Sequence, residues 1–287
     1  MSGSFIRKVT TWIFISTAAC VLTAVPSAAG PLREEQAGPP TTESGVPFPI
    51  GERLAYEIEW DPPWYLFVIP NMHAADAELE ITGDDEYKGQ KVYKIVFKAQ
   101  SSGILASLFH MTIDDEFVFL SEPDTFCTYS VSKKIREGKR KRQIDVEYLR
   151  ETGQLYIREL DESFSPPKIK KDTLKEDIPP CVQDPLSALY FLRGIPLRED
   201  MVHTSVIGHD DVVKEVKSKV LKLETVKTPD GKIPAWKIDT VALLGGLFKK
   251  GGQFKIWLSA DERQIPLQFE VKVSIGRVTG RIKKAEE

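Results

Sequence analysis

The sequence predicts an all-β, mostly antiparallel fold, a strongly curled sheet or an open β-barrel with one central amphipathic helix. Three observations predict it. Apolar and polar residues alternate with a period of two along most of the chain after residue 51, turn residues separate these runs, and one central segment has helical spacing instead. The runs indicate about twelve strands, a number that a twisted sheet accommodates by curling or closing.

The first 29 residues have the order of a secretory signal peptide. Two basic residues are followed by an apolar stretch that ends at Val25, and small residues then precede Gly30. The stretch is short, it is interrupted by Thr and Ser, and no stop-transfer pattern follows. We therefore expect cleavage after Ala29 and a periplasmic protein. Small residues also precede Cys20, so anchoring as a lipoprotein through Cys20 is an alternative that the sequence favours less.

Residues 30–50 are rich in Pro, Gly, Glu and Thr, which is typical of a disordered linker. A single β-rich domain is predicted over residues 51–287. Its strands are separated by turn signals such as Gly83-Asp84, Lys88-Gly89 and Glu137-Gly138. These short spacings favour neighbouring antiparallel strands joined by tight turns.

The predicted helix begins after Asp184, a residue type that caps helix N-termini, and Pro185 occupies the first helical position. Apolar residues follow at helical spacing, and Gly194 with Pro196 ends the element. A lone amphipathic helix in an all-β chain must bury its apolar face against the sheet. We expect it to plug or cover one opening of the curled sheet.

Cleavage of the signal peptide leaves two cysteines, Cys127 and Cys181. An even number of cysteines in an oxidising compartment permits a disulfide. The sequence does not show whether their Cα atoms come within about 7 Å of each other, so a disulfide and two free thiols are both open.

The chemistry of the chain predicts no catalytic site, no metal site and no cofactor. Neither a nucleophile elbow nor a phosphate-binding glycine loop is present, and the net charge of −3 disfavours a nucleic-acid partner. Asp115 and its acidic neighbours predict a solvated strand edge. The four histidines have no metal-ligand spacing, and His203 and His209 are interpreted as surface residues.

Two features predict contacts with lipid. Two apolar segments with breaking residues are candidate membrane or lipid contacts, through Trp64, Tyr65, Phe67, Leu244 and Phe248. A basic run is a candidate site for anionic headgroups, and it consists of Lys133, Lys134, Arg136, Lys139, Arg140, Lys141 and Arg142. Burial of the apolar segments in the core and a merely solubilising role for the basic run remain alternatives.

Three segments resemble one exported bacterial family of uncharacterised proteins. They are the opening run 51–60, the central run from Gln183 to Arg193 and the closing run from Ile256 to Asp261. The family they resemble is domain of unknown function 3108, and the resemblance spans most of residues 51–284. It implies an exported β-rich fold and brings no activity. By fold-level analogy alone, the family is similar to the lipoprotein carriers LolA and LolB, whose open barrel with a helical lid holds acyl chains.

These observations predict a non-enzymatic periplasmic protein that binds or carries a lipid, a lipoprotein or a glycolipid of the cell envelope, with the membrane surface as a further partner. The alternative is an envelope scaffold with a filled core that binds a partner protein through its sheet edge. A hydrolase acting on envelope polymers is a third hypothesis. A continuous cavity favours the first hypothesis, a filled interior the second, and clustered carboxylates or histidines in a cleft the third.

Overall fold

The computed structural model describes residues 48–63, 71–101, 112–241, 253–273 and 276–286. These residues form one helix and fourteen strands. The helix is α1 (Pro185–Arg193), and the strands are β1 (Arg53–Asp61), β2 (Met72–Tyr87), β3 (Gln90–Ser101), β4 (Asp114–Ser121), β5 (Thr128–Glu137), β6 (Arg140–Leu149), β7 (Gln154–Asp161), β8 (Lys168–Lys175), β9 (Val202–His209), β10 (Val212–Thr228), β11 (Gly231–Val241), β12 (Gln253–Ser259), β13 (Pro266–Lys272) and β14 (Arg277–Glu286).

All fourteen strands belong to one antiparallel sheet with the order β8-β7-β6-β5-β4-β3-β2-β1-β14-β13-β12-β11-β10-β9. Sequence neighbours are therefore sheet neighbours within β1 to β8 and within β9 to β14, and the first and last strands join the two halves. The connection from β8 to β9 carries α1. The predicted all-β fold with a curled, unclosed sheet and one helix is confirmed.

The turn predicted at Gly83-Asp84 is wrong, because both residues lie inside β2. The pairing of β2 with β3 shifts between Ile81 and Gly83, which is a β-bulge that leaves one extra residue on β2. The chain reverses at Lys88-Gly89, where the φ angles of 52° and 78° give the primed turn that suits a two-residue hairpin. A glycine in a strand pattern indicated a bulge here as readily as a turn.

The helix begins where the sequence predicted. Asp184 is its N-cap, and its Oδ1 accepts hydrogen bonds from the backbone N–H groups of Leu186 at 2.8 Å and Ser187 at 3.1 Å. Its Oδ2 accepts from the hydroxyl of Thr128 at 3.0 Å and from the hydroxyl of Ser187. Thr128 begins β5, so the N-cap also fixes the start of the helix to the sheet.

The far end of α1 is held by a buried ion pair. The guanidinium of Arg193 donates to both carboxylate oxygens of Glu52, at 2.6 and 2.7 Å, and the two side chains are only 1% and 2% exposed. Gln264 donates its side-chain amide to the carbonyls of Arg193 and Ile195, each at 2.8 Å, which satisfies acceptors at the helix C-terminus. Both ends of α1 are thus tied to the sheet.

The folded domain starts a few residues earlier than predicted. Phe48, which the linker prediction placed outside the domain, is 5% exposed. Its ring packs edge-on against Phe126 and Tyr190, with centroid separations of 5.9 and 5.1 Å. Aromatic contacts of this kind anchor the chain immediately before β1.

The segment that precedes α1 joins two distant parts of the sheet. The carbonyl of Val182 accepts from the N–H of Thr128 in β5, and Gln183 exchanges backbone hydrogen bonds of 2.8 and 2.9 Å with β9. A Cβ atom at Gly208 in β9 would lie 2.0 Å from the hydroxyl oxygen of Tyr148, so a larger residue here would displace the Tyr148 side chain. Cys127 and Cys181 form a disulfide beside this junction, with Cα atoms 5.1 Å apart.

Candidate functional site

A cavity of about 300 Å³ lies between the concave face of the sheet and α1. Its apolar lining includes side chains from strands in both halves of the sheet and from the helix. These are Tyr56, Ala77, Leu79, Phe97, Phe117, Phe119, Val131, Val146, Tyr148, Leu186, Ala188, Leu189, Leu192, Ile207, Val216, Phe254, Ile256 and Phe269. The volume falls at the lower end of the range of roughly 300 to 1,000 Å³ that is typical of small-molecule sites.

The period of two along the strands creates the apolar wall. Phe117 and Phe119 in β4 point to the same face, and so do Val146 and Tyr148 in β6. The helix contributes Leu189, among others, from the side that faces the sheet. The interior is therefore mostly apolar without being filled, and α1 forms part of the cavity wall.

Lys133, His209 and Asp210 form a polar cluster in the cavity wall. The ammonium Nζ of Lys133 donates to Asp210 Oδ1 at 2.6 Å and lies 3.5 Å from His209 Nδ1. Nε2 of His209 lies 3.4 Å from Asp210 Oδ2. Lys133 stands on β5, His209 ends β9 and Asp210 begins the turn to β10, so the cluster connects the two halves of the sheet across the cavity.

Burial and the neighbouring charges within the cluster shift the pKa values of His209 and Asp210. Burial, and then the positive charge of Lys133, lower the pKa of His209 to about 4, while Asp210 and Asp211 oppose this shift. Burial raises the pKa of Asp210, but the charge and hydrogen bond of Lys133 together with His209 outweigh it, so this pKa lies below its usual range. Near neutral pH His209 is therefore an uncharged imidazole and Asp210 a carboxylate beside Lys133.

Asp184 also borders the cavity, but its carboxylate is used by the fold. Its two oxygens accept from the two backbone N–H groups and the two hydroxyls that cap and anchor α1. Burial raises the pKa of Asp184, and these four donors only partly offset that effect. The polar cluster therefore contributes the charged groups of the lining that do not cap α1.

The structure places the predicted basic run on two faces of a hairpin. Lys133 points inward, with a side chain that is 8% exposed, whereas Lys134, the next residue, is exposed and pairs with Glu116 at 3.0 Å. Three more of its cations pair with carboxylates, namely Arg136 with Glu162, Arg140 with Glu137 and Arg142 with Glu159. Lys139 and Lys141 are exposed. Binding of anionic headgroups by this run stays a prediction.

The five predicted apolar contacts lie outside the described residues, as do residues 1–29, predicted as a signal peptide, and most of the predicted linker. They are Trp64, Tyr65, Phe67, Leu244 and Phe248. Their role in lipid contact stays a prediction. In the part of the chain that the structure describes, no helix has the length and apolar character needed to cross a membrane.

Three interpretations of single residues were wrong. Asp115 is buried rather than solvated, and its Oδ1 accepts from the backbone N–H of Arg136 at 2.7 Å, while burial raises its pKa to about 6. His203 is half-buried and stacks on Phe191 with a centroid separation of 5.0 Å. His209 lines the cavity. The spacing of residues showed which side chains share one face of a strand. It did not show which face is buried by the rest of the protein. Within the described ranges, no group of three or more metal-binding side chains is found.

Sequence reasoning missed the polar cluster, although one signal was present. Val131, Lys133 and Ile135 alternate with polar residues in β5, which puts a lysine on the apolar face of a strand. The surrounding positive charges drew attention to a surface patch instead. No comparable signal connected Lys133 with His209 and Asp210, since 76 and 77 residues separate them along the chain.

Comparison with known proteins gives one family match and two solved structures. A family model described as a protein of unknown function (DUF3108) matches residues 55–283. A solved β-barrel-like protein of domain of unknown function DUF1849 from Brucella abortus aligns with a TM-score of 0.55 at 13% identity, over 83% of this chain and 97% of that chain. A putative exported protein with a YmcC-like fold from Bacteroides fragilis aligns with a TM-score of 0.36 at 9% identity, over 84% and 98%. A search of curated proteins found no match.

Proposed function

The chain belongs to the DUF3108 family, whose description assigns no function, and we propose that it is a non-enzymatic carrier of an apolar or amphiphilic ligand of the cell envelope. The signal peptide predicted over residues 1–29 supports a periplasmic location for this role. The proposal covers lipids, lipoproteins and glycolipids as ligand classes.

The observation that carries the proposal is the cavity beneath α1. Protein interiors are close-packed, and voids larger than a few water molecules are rare in a domain core. A space of about 300 Å³ with walls of Leu, Val, Ile and Phe loses favourable packing unless something occupies it. An apolar guest restores those contacts and removes its own surface from water.

The opening of the sheet supports reversible loading. The edge strands β8 and β9 occupy opposite ends of the strand order, and short connections rather than a continuous ladder bridge them. Among these connections, Lys171 and Lys175 in β8 contact the carboxylate of Asp211 in the turn after β9. Partly exposed ion pairs are weak and easily broken in water. The gap between the edges is therefore a route for a ligand to enter and leave.

The scaffold alternative receives less support. It requires a filled interior, whereas the described core contains a cavity. It also requires a sheet edge suited to strand addition, and β8 carries lysines at positions 168, 170, 171 and 175. Lysine-rich edges oppose pairing with another strand.

Native mass spectrometry of ligand binding tests the proposal, with variants in which larger side chains fill the cavity. Ala188 lies on α1 and lines the cavity, so Ala188→Phe places a ring in the ligand volume. Purified wild-type protein should bind a saturated C12 alcohol one to one, and Ala188→Phe should weaken binding at least tenfold. Ala77→Leu on the opposite wall is a second filling variant.

The matched control is Ala260→Phe, the same substitution at an exposed residue after β12. It should bind the alcohol as the wild type does. Failure of the wild-type protein to bind either the alcohol or the saturated C12 acid, or equal binding by folded Ala188→Phe and Ala77→Leu, would contradict the proposed function.

A further inference from the structure

Lys133 lies at a buried position, where a charged side chain lowers the stability of the fold. It occupies an inward position of β5 between Val131 and Ile135, and its side chain is 8% exposed. Removing an ammonium group from water is unfavourable, and a buried ion pair commonly adds no more stability than well-packed apolar residues would. The fold thus gains little from Lys133 itself, and a role toward a ligand accounts for a cation at this wall.

The charges around the polar cluster favour a monoanion. Lys133 pairs with Asp210, while Lys171 and Lys175 both contact Asp211 on the same turn. Of these groups only Lys133, Asp210 and the uncharged His209 line the cavity, while Lys171, Lys175 and Asp211 adjoin them on the same turn and add a net positive charge. Because Asp210 is already paired with Lys133, this surplus positive charge favours a ligand with a single negative charge, such as a carboxylate.

The ammonium also has hydrogen-bonding capacity for such a group. An ammonium carries three N–H donors. For Lys133, Asp210 Oδ1 and His209 Nδ1 account for two acceptors, at 2.6 and 3.5 Å. A carboxylate oxygen within the cavity can take the third donor, and charge-assisted bonds of this kind are about twice as strong as neutral ones.

The volume of the cavity limits the length of the alkyl chain that a ligand can carry. An apolar cavity of roughly 150 Å³ holds one benzene molecule, so a cavity of twice that volume holds on the order of a dozen carbon atoms. This capacity corresponds to one saturated chain of medium length. Two acyl chains of a membrane phospholipid exceed it.

We propose that the cavity binds a single-chain fatty acid whose carboxylate is held by Lys133 and whose alkyl tail lies against the apolar wall. This inference rests on the proposed function and names its ligand class. It assigns Lys133 as the residue that distinguishes an acid from an uncharged amphiphile of the same length.

A matched pair of ligands tests the assignment. Dissociation constants of dodecanoate and dodecanol are measured by calorimetry for the wild type and for Lys133→Met, which keeps the apolar stem of the side chain. The wild type should bind dodecanoate about tenfold or more tightly than dodecanol. Lys133→Met should lose about that factor for dodecanoate and keep its affinity for dodecanol within about threefold.

Lys134→Met is the control, since it removes one positive charge from the same strand on the opposite, exposed face. It should leave both affinities unchanged. If Lys133→Met fails to fold, the double variant Lys133→Met with Asp210→Asn replaces the ion pair by an uncharged pair and should show the same selective loss.

The outcomes separate the two proposals. Binding of both ligands by the wild type with equal affinity, or unchanged dodecanoate affinity in a folded Lys133 variant, overturns the carboxylate assignment and leaves the carrier function in place. Binding of neither ligand overturns both proposals.

Discussion

Removing one member of the buried pair between Glu52 and Arg193 should strongly destabilise the domain, and Arg193→Met tests this directly. The substitution removes two short charge-assisted hydrogen bonds to the carboxylate of Glu52. It also removes donors to the backbone carbonyls of Arg263 and Gln264, at 3.3 and 3.1 Å. Because Glu52 is 2% exposed, its carboxylate then lies buried with its main partner lost.

The expected size follows from this burial. Removing one member of a buried ion pair costs about 3 to 5 kcal/mol, because the remaining charge is uncompensated. For a domain of this length, each kcal/mol shifts the melting temperature by about 2 to 4 °C, so the expected decrease is roughly 6 to 20 °C. The substitution also removes the cation–π contacts of the Arg193 guanidinium, which lies 4.5 and 4.8 Å from the ring centroids of Phe48 and Tyr190. Their loss lowers the stability further.

Calorimetry of a double-mutant cycle provides the measurement. Arg193→Met, Glu52→Gln and the double variant are compared with the wild type, and the double variant should be less destabilised than the sum of the single variants. The control Arg53→Met breaks an exposed pair with Glu78 and should leave the melting temperature almost unchanged. A melting temperature of Arg193→Met within about 2 °C of the wild type would refute the reasoning.

Two further predictions concern stability. Replacing Cys127 and Cys181 by Ser opens a link across 54 residues and should lower the free energy of unfolding by about 2 to 5 kcal/mol in urea titrations; an unchanged midpoint would contradict this. The folded pKa of His209 lies below that of the unfolded chain, owing to burial and then to Lys133, with Asp210 and Asp211 opposing. As the pH falls, the unfolded chain therefore binds a proton at this residue before the folded chain does. The contribution of His209 to the free energy of unfolding is complete above about pH 6.5 and is lost as the pH falls toward 4. The stability difference between the wild type and His209→Gln should change over that interval, and a constant difference would contradict it.

Local chemistry explains why the helix was predictable to the residue. Asp184 and Pro185 supply the start, and Gly194 supplies the end, because capping depends on groups within a few residues of one another. The hairpin turn at Lys88-Gly89 follows the same logic. Gly83 was misinterpreted because a glycine serves a bulge and a turn equally well, and the partner strand decides between them.

The sequence by itself determined the fold class, since alternation with a period of two and short-range turn chemistry are properties of neighbouring residues. Only the tertiary structure decided that the inward faces leave a cavity, that Lys133 meets His209 and Asp210 inside it, and that Arg193 reaches Glu52. The physical reason is that curvature of the sheet sets both the free volume and the pairs brought into contact. These contacts join residues far apart in the chain, and no local sequence pattern predicts that such residues meet in space.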